Sequence, residues 1–498
     1  MRNGRRLVEF RSHYKGRDIL RDSGSFCVGQ YKEAESWAVV AKHQRRTSRP
    51  SPRLKNGRHR DFHRIEKISF RKMNLPQEHK IKEHCQKVPV ARSNDGQCCS
   101  SGHSCWTRGC RALSKQDPSA MLSESTNKLG LSLYHTMVND ASLKSQNVLF
   151  SPVVLASSLG VMSLGARQNT ASQVKSLLNV PLHEEKLHMS FSELLGDVSN
   201  EAARNTTWKI GSRLYGPAWA KISKDFAEKS KKHYGHDHNN INFRDKRSAL
   251  QEINKWAAEN TGGKLPEITT DLPAAEGAMF VNTMYFKPHW GEAFSHTMVD
   301  KRGFLMSRTR TVSVPMMHRT GFYPYYEDEA NQLQIVEMPL GQKQTSLLVI
   351  MPFHVEPLER LEKMLTAEHL RQWSKKLKEV AVAVSLPKID LDIKHELQKH
   401  LQQLGLVEAV DKSKADFSGI TGKKDLHVSN FLHATAFELN TGGNPFDETV
   451  FGREELRSPM LFYADHPFIF LVKDKNTDSI LLIGRILKPN GDGRHDEL

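Results

Sequence analysis

The chain predicts an α+β fold built on large mixed or antiparallel sheets. Helical periodicity is concentrated early and the long apolar strands come late, and neither βαβ alternation nor an internal repeat runs through the chain. The segment after residue 110 is also long enough to bury a large core without covalent staples. Globular patterning starts at about Asp117. Ser123–Val138 reads as an amphipathic helix with Leu129, Leu131, Leu133 and Met137. In Asn147–Gly165 a strand-like entry leads into a Ser-Pro helix start and a buried helix of small residues. Phe280–Phe286 and Thr345–Met351 are apolar strand runs, and Pro357–Trp373 is helical, with Leu358, Leu361 and Leu365 on one stripe. Val380–Leu386 alternates as a strand, Leu391–Leu406 is expected to be helical, and Phe431–Leu439, Leu461–Val472 and Ile480–Leu487 are expected strands.

Charge and cysteine divide the chain in the same place. The whole carries 72 Lys+Arg against 56 Asp+Glu, a net of +16, which taken alone suggests a polyanion partner. Residues 1–110 hold 25 basic and 10 acidic side chains, so +15 belongs to them and +1 to the remainder. All six cysteines (Cys27, Cys85, Cys98, Cys99, Cys105, Cys110) lie there too, so the large segment has no internal disulfide and no thiol chemistry. Residues 1–116 are expected to be a disordered basic extension: Arg, Lys, His, Ser and Gly dominate, with no periodicity and no core. The tract at 45–60 reads as a nuclear address or polyanion patch, or as a solvated or translated non-coding stretch. The cysteines at 98–110 lack the paired Cys-x2-Cys spacing of zinc sites, and no metal or other cofactor is expected. His233, His236 and His238 are the nearest approach to ligand spacing and are expected on a surface loop.

The last four residues, His495, Asp496, Glu497 and Leu498, form a retrieval address for the endoplasmic reticulum, carried on a tail from 490 to 498. The first twenty residues are charged throughout and hold no apolar signal core, so entry into that compartment is left unexplained, or else residues 1–116 are not the natural start. The sequon at Asn205 suits a lumenal glycoprotein. No stretch is long and apolar enough to span a bilayer, and no membrane insertion is expected.

The stretches 147–173, 253–268, 280–294, 314–329 and 462–472, in that order, resemble the serpins across residues 117–489. The resemblance implies three β-sheets, eight to nine helices and an exposed reactive-centre loop between about Gly442 and Ser458. Serpins that inhibit proteases insert that loop into the main sheet, which needs small uncharged side chains. Here the hinge carries Asn444, Pro445, Phe446, Asp447 and Glu448. Proline cannot donate to a central strand, phenylalanine overpacks the position and a buried lone carboxylate is severely disfavoured. No catalytic motif stands out, so the chain is expected to be neither an inhibitor nor an enzyme.

Further segments, among them HVEPLERLEK, NPFD and GREELRSPMLFYADHPFIFLV, resemble the collagen-binding branch of that family. The resemblance implies a monomeric chaperone of the endoplasmic reticulum, with the procollagen triple helix and the retrieval receptor as partners and no nucleic acid. It places collagen contacts at Leu461, Tyr463, Asp465, Arg302, Leu305 (where the branch has Met) and Ser385. Spacing of two independently puts the first three on one face of an extended strand. Asp465 would take an arginine of a Gly-X-Arg triplet. Binding near neutral pH and release at lower pH is implied as well, with His318, His466, His433 and His354 as the proton-sensing candidates. The competing function is a serine protease inhibitor of the secretory pathway.

Overall fold

The computed structural model describes residues 117–272, 277–291, 294, 298–442 and 458–489. The basic segment, the hinge from Asn444 to Glu448 and the retrieval tail lie outside the described residues. Eleven α-helices are described: α1 (Pro118–Val138), α2 (Pro152–Gly165), α3 (Gln168–Leu178), α4 (Glu184–Val198), α5 (Glu201–Arg204), α6 (Lys224–Tyr234), α7 (Lys246–Thr261), α8 (Glu359–Met364), α9 (Ala367–Lys376), α10 (Gln398–Gln403) and α11 (Ser418–Thr421). The strands are β1 (Val148–Phe150), β2 (Thr206–Pro217), β3 (Asp237–Ile241), β4 (Ala278–Pro288), β5 (Val299–Ser307), β6 (Arg310–Asp328), β7 (Leu333–Leu340), β8 (Thr345–Pro352), β9 (Lys378–Pro387), β10 (Ile389–Glu396), β11 (Val428–Leu439), β12 (Met460–Tyr463), β13 (Phe468–Asp474) and β14 (Ile480–Ile486).

Local chemistry sets the helix starts. The side chains of Asp117, Ser151 and Thr366 accept from backbone N–H groups in the first turns of α1, α2 and α9. The Thr366 cap also divides 357–373, expected as one helix, into α8 and α9. That split, with the single-turn helices α5 and α11, accounts for the excess over the expected eight or nine.

One sheet has the order β10-β11-β4-β2-β3; the other runs β1-β14-β13-β8-β7-β6-β9-β12, with β5 also paired to β6. Two of the three expected sheets are thus joined. The 19-residue β6 pairs with β5 and β9 through its first part and with β7 from Tyr325 onward. In the five-stranded sheet β4 and β11 are direct parallel neighbours from Phe431↔Phe280 to Phe437↔Phe286, and both phenylalanine pairs are stacked. The chain leaving β11 is clasped to the end of β4: Trp290 Nε1 donates to the Asn440 carbonyl at 2.6 Å and the Phe294 N–H donates to the Thr441 carbonyl at 3.0 Å.

Three expectations are corrected. Leu391–Leu406 is a helix only over α10; Ile389, Leu391 and His395 are buried while Asp390, Asp392 and Lys394 are exposed, a period of two that makes β10 a strand. Leu461–Val472 is two strands, broken where Pro467 removes a ladder donor and Asp465 N–H turns back to the Tyr463 carbonyl at 3.0 Å. His236 is buried rather than on a surface loop; it packs against Phe280, and burial lowers it to about 4. Among the described residues no group of ligand side chains could hold a metal ion, and no helix is long and apolar enough to cross a membrane.

Candidate functional site

Four strands lie side by side in the order β12-β9-β6-β5, and their register assembles a polar and apolar face. β12 pairs parallel with β9, so Leu461 meets Ala383 and Tyr463 meets Ser385; β9 pairs antiparallel with β6, so Ser385 meets His318 and Ala383 meets Thr320. Phe462 and Ala464 point into the core, while Leu461 is 71 % exposed and Tyr463 and Asp465 are half-buried. The period-two spacing therefore puts Leu461, Tyr463 and Asp465 on the open side.

Asp465 leaves the strand but stays on the face. The Leu305 N–H of β5 donates to its carbonyl at 2.7 Å, and the Ala464 N–H donates to the Ser385 carbonyl at 2.9 Å. Its carboxylate Oδ1 lies 2.8 Å from His466 Nδ1, and the opposite ring nitrogen lies 2.8 Å from the Pro352 carbonyl. Both oxygens accept only, so buried His466 satisfies both when its ring carries two protons; with one, it donates to one of them and turns a lone pair to the other.

His318 has a different pair of neighbours. Its Nε2 is 2.8 Å from Asp300 Oδ1, and its Nδ1 is 2.8 Å from Ser385 Oγ. A hydroxyl both donates and accepts, so His318 keeps both contacts with one proton or two. Its ring lies nearly parallel to that of Tyr463, with centroids 6.3 Å apart. Asp300 Oδ2 in turn pairs with Arg302 at 2.6 Å. The Arg302 and His318 contacts hold the Asp300 carboxyl below the usual carboxylate range, and Asp300 raises the Arg302 guanidinium. Burial raises the Tyr463 hydroxyl, against the lowering influence of Arg302.

Leu461, Tyr463, Asp465, Arg302, Ser385 and His318 thus form one connected face, to which Leu305 is tied through its backbone N–H and behind which buried His466 supports Asp465. The other two histidines lie elsewhere. His433 sits in the middle of β11, fully buried, accepting from the Ser151 N–H at 3.2 Å. Burial lowers it to about 4, so it stays neutral through the range in which an exposed histidine titrates. His354 is exposed, two residues beyond Pro352, in the loop after β8. Asn205 is exposed as well, at the end of α5 with φ +48°. Sequence reasoning missed Asp300, although its spacing of two from Arg302 puts both on the same side of β5. It also missed the Pro352 carbonyl, a backbone acceptor that no side-chain pattern marks.

The profile of the family described as "Serpin (serine protease inhibitor)" matches residues 124–489. Serpin H1 of Gallus gallus is 57% identical over 383 residues, covering 77% of this chain and 94% of the relative. Serpin H1 of Bos taurus is 57% identical over 380 residues, covering 76% and 90%. Leukocyte elastase inhibitor of Equus caballus is 32% identical over 355 residues, covering 69% and 93%. With the α+β architecture and a family match that begins just inside α1 and runs to the end of the described residues, the chain belongs to the serpin family.

Proposed function

We propose that the β12-β9-β6-β5 face binds the folded procollagen triple helix, and that the chain is a non-inhibitory, collagen-specific chaperone of the endoplasmic reticulum. The observation that carries this reading is the Leu461–Tyr463–Asp465 row. A triple helix is a rod with no pocket, dominated by Gly-X-Y proline side chains. Leu461 and Tyr463 offer apolar surface to such a rod, and Asp465 beside them offers a carboxylate to an arginine of a Gly-X-Arg triplet. Arg302, held by Asp300, stands ready for a carbonyl of the rod, and Leu305 and Ser385 complete the contact. No cofactor or catalytic residue is invoked. Binding the folded product stabilises it by mass action alone.

The same geometry supports release on acidification. An arginine fork takes both oxygens of a carboxylate. A singly protonated His466 can give its proton to the Pro352 carbonyl, which leaves both Asp465 oxygens to the ligand. When the ring gains its second proton it donates to Oδ1 and competes for that oxygen, so affinity falls as pH falls. Asp300, Arg302, Tyr463 and Ser385 surround His318, which is the second sensor in this reading. Glycosylation at exposed Asn205 and retrieval through His495–Leu498 complete the proposal for a lumenal chain, acting as a monomer.

The test is a pull-down of the chain on native and heat-denatured collagen at about pH 7.4 and about pH 6, spanning the histidine range. Native collagen at neutral pH should retain it, and Asp465→Asn should lose it. Equal retention on denatured collagen, or an unaffected Asp465→Asn, would overturn the reading. Formation of a stable covalent complex with a serine protease would favour the inhibitor alternative.

A further inference from the structure

The β6–β9 register continues without interruption from Met316 to Tyr325, past the residues that make up the proposed contact. One step along the sheet from the His318–Ser385–Tyr463 row lies a row of Thr320, Ala383 and Leu461, and one step further lies Phe322 opposite Ala381. The contacts of His318 with Ser385 and Tyr463 fix which side of β6 this is, and the period of two puts Thr320 and Phe322 on the same side. Tyr323, on the other side, is buried. Phe322 is 53 % exposed, an aromatic ring on open sheet surface that the core does not use.

Together these residues make a trough rather than a flat patch. Leu461 on β12 forms one wall, Phe322 and Thr320 on β6 form the other, and Ala383 and Ala381 of β9 form a low floor between them. The walls are two strand spacings apart, roughly 10 Å, and successive rows are separated by about 7 Å. A polyproline-like chain rises about 9 Å per triplet, so the Phe322 row, three steps from Asp465, lies roughly two triplets from it.

We infer that this trough is a second subsite for the same triple helix, in which Phe322 and Leu461 grip imino-acid side chains of the triplets flanking the arginine that Asp465 takes. The inference rests on the proposed collagen reading and adds a specificity to it: the chain selects an arginine embedded in proline-rich triplets. Two features favour the rod over another occupant. The trough is continuous with the Leu461–Tyr463–Asp465 row, and its apolar walls and low floor suit ring side chains projecting from a stiff rod rather than a bulky globular surface.

The experiment measures binding of the full chain at about pH 7.4 to triple-helical peptides carrying one Gly-X-Arg triplet. Phe322→Leu should bind like the unaltered protein. Phe322→Ser should weaken binding by roughly 10- to 70-fold, since an exposed Phe covered by a ligand buries on the order of 100 Å² of apolar surface, of which binding realises only a part. Ala383→Leu should also weaken it, because raising the floor closes the trough although it adds apolar area. Thermal unfolding of Phe322→Ser should match the parent, which separates contact from fold. Replacing flanking prolines of the peptide by alanine should weaken binding to the parent protein but not to Phe322→Ser.

If Asp465→Asn abolishes binding while Phe322→Ser and Ala383→Leu bind as the parent does, the subsite is refuted and the collagen reading stands. If Asp465→Asn binds as the parent does, the collagen reading itself falls. Self-association of the chain that Phe322→Ser abolishes, without any effect on peptide binding, would assign the trough to a second copy and overturn the inference.

Discussion

Replacing His466 should uncouple collagen release from pH. The ring is buried between two acceptors, Asp465 Oδ1 and the Pro352 carbonyl, each 2.8 Å away. Its second proton creates a charge-assisted hydrogen bond to the carboxylate that the ligand arginine needs. Such a bond contributes about 1.5–3 kcal/mol where it is well shielded. The Asp465 side chain is 28% exposed, so about 1–2 kcal/mol is the better figure, or roughly 5- to 30-fold in affinity. The sign follows from the competition: affinity is higher while the ring carries one proton and declines once it gains the second. His466→Gln cannot be charged yet retains an amide that can donate to Pro352. It should bind at neutral pH like the parent and lose most of the decline that acidification causes in the parent. His466→Ala should do the same with lower stability, since it leaves a cavity and an unpaired carbonyl. The assay is an affinity titration on immobilised native collagen at stepped pH. A release curve of unchanged midpoint and steepness in both variants would refute the competition and leave His318 as the remaining sensor on the face.

Other outcomes concern the scaffold. Buried Arg485 and Glu362 pair at 2.6 Å, and Arg485 also donates to the Leu143 and Gln146 carbonyls. Arg485→Met should therefore destabilise by about 3–5 kcal/mol, because the carboxylate is left buried without its counter-charge and, among the described residues, with only the Tyr134 hydroxyl donating to it, a shift readable as the denaturant midpoint. His395 and His433 face each other across β10 and β11, lowered by burial to about 3 and about 4. Unfolding lets both rings charge below about pH 6.5, so stability is highest above that pH and falls toward pH 4, by up to about 1.4 kcal/mol per pH unit for each ring. His433→Gln, which keeps an acceptor for the Ser151 N–H, should remove about one proton from that slope in denaturant melts at stepped pH. An unchanged slope would show that the ring is not the group titrating.

Much of the fold was legible wherever one periodicity dominated. The last turn of α1, the Ser-Pro start and the end of α2, and both ends of β4 lie close to their expected positions, because a capping serine and continuous apolar runs mark them, whereas α1 begins at Pro118, five residues before the expected Ser123. β10 was misread because Ile393, Leu397, Leu401 and Leu404 fit a helical spacing, and only pairing with β11 decides between the two patterns. β6 was largely missed. Arg310–Asp328 serves three neighbouring strands and so presents no single alternation along its length. For the site, the family resemblance picked out Leu461, Tyr463 and Asp465, with the spacing of two as an independent reason to read them as one row, and joining that row to Arg302 and His318 also took the resemblance, since these residues lie far apart in sequence. Asp300 and the Pro352 carbonyl became visible only when strand register brought them to the face.

The direct pairing of β4 with β11 bears on how often one molecule can act. None of the strands carrying the proposed contact face pairs with either of them, so occupying that face asks nothing of the β4–β11 seam or of its Trp290 clasp. A serpin that traps a protease by inserting its loop is consumed by the act. Here the ligand would leave behind a sheet whose strand order has not changed, and the same copy is ready for the next rod. On the proposed reading, supply would need only to match the number of rods in transit at one time, and the quantity that would matter is the rate of release.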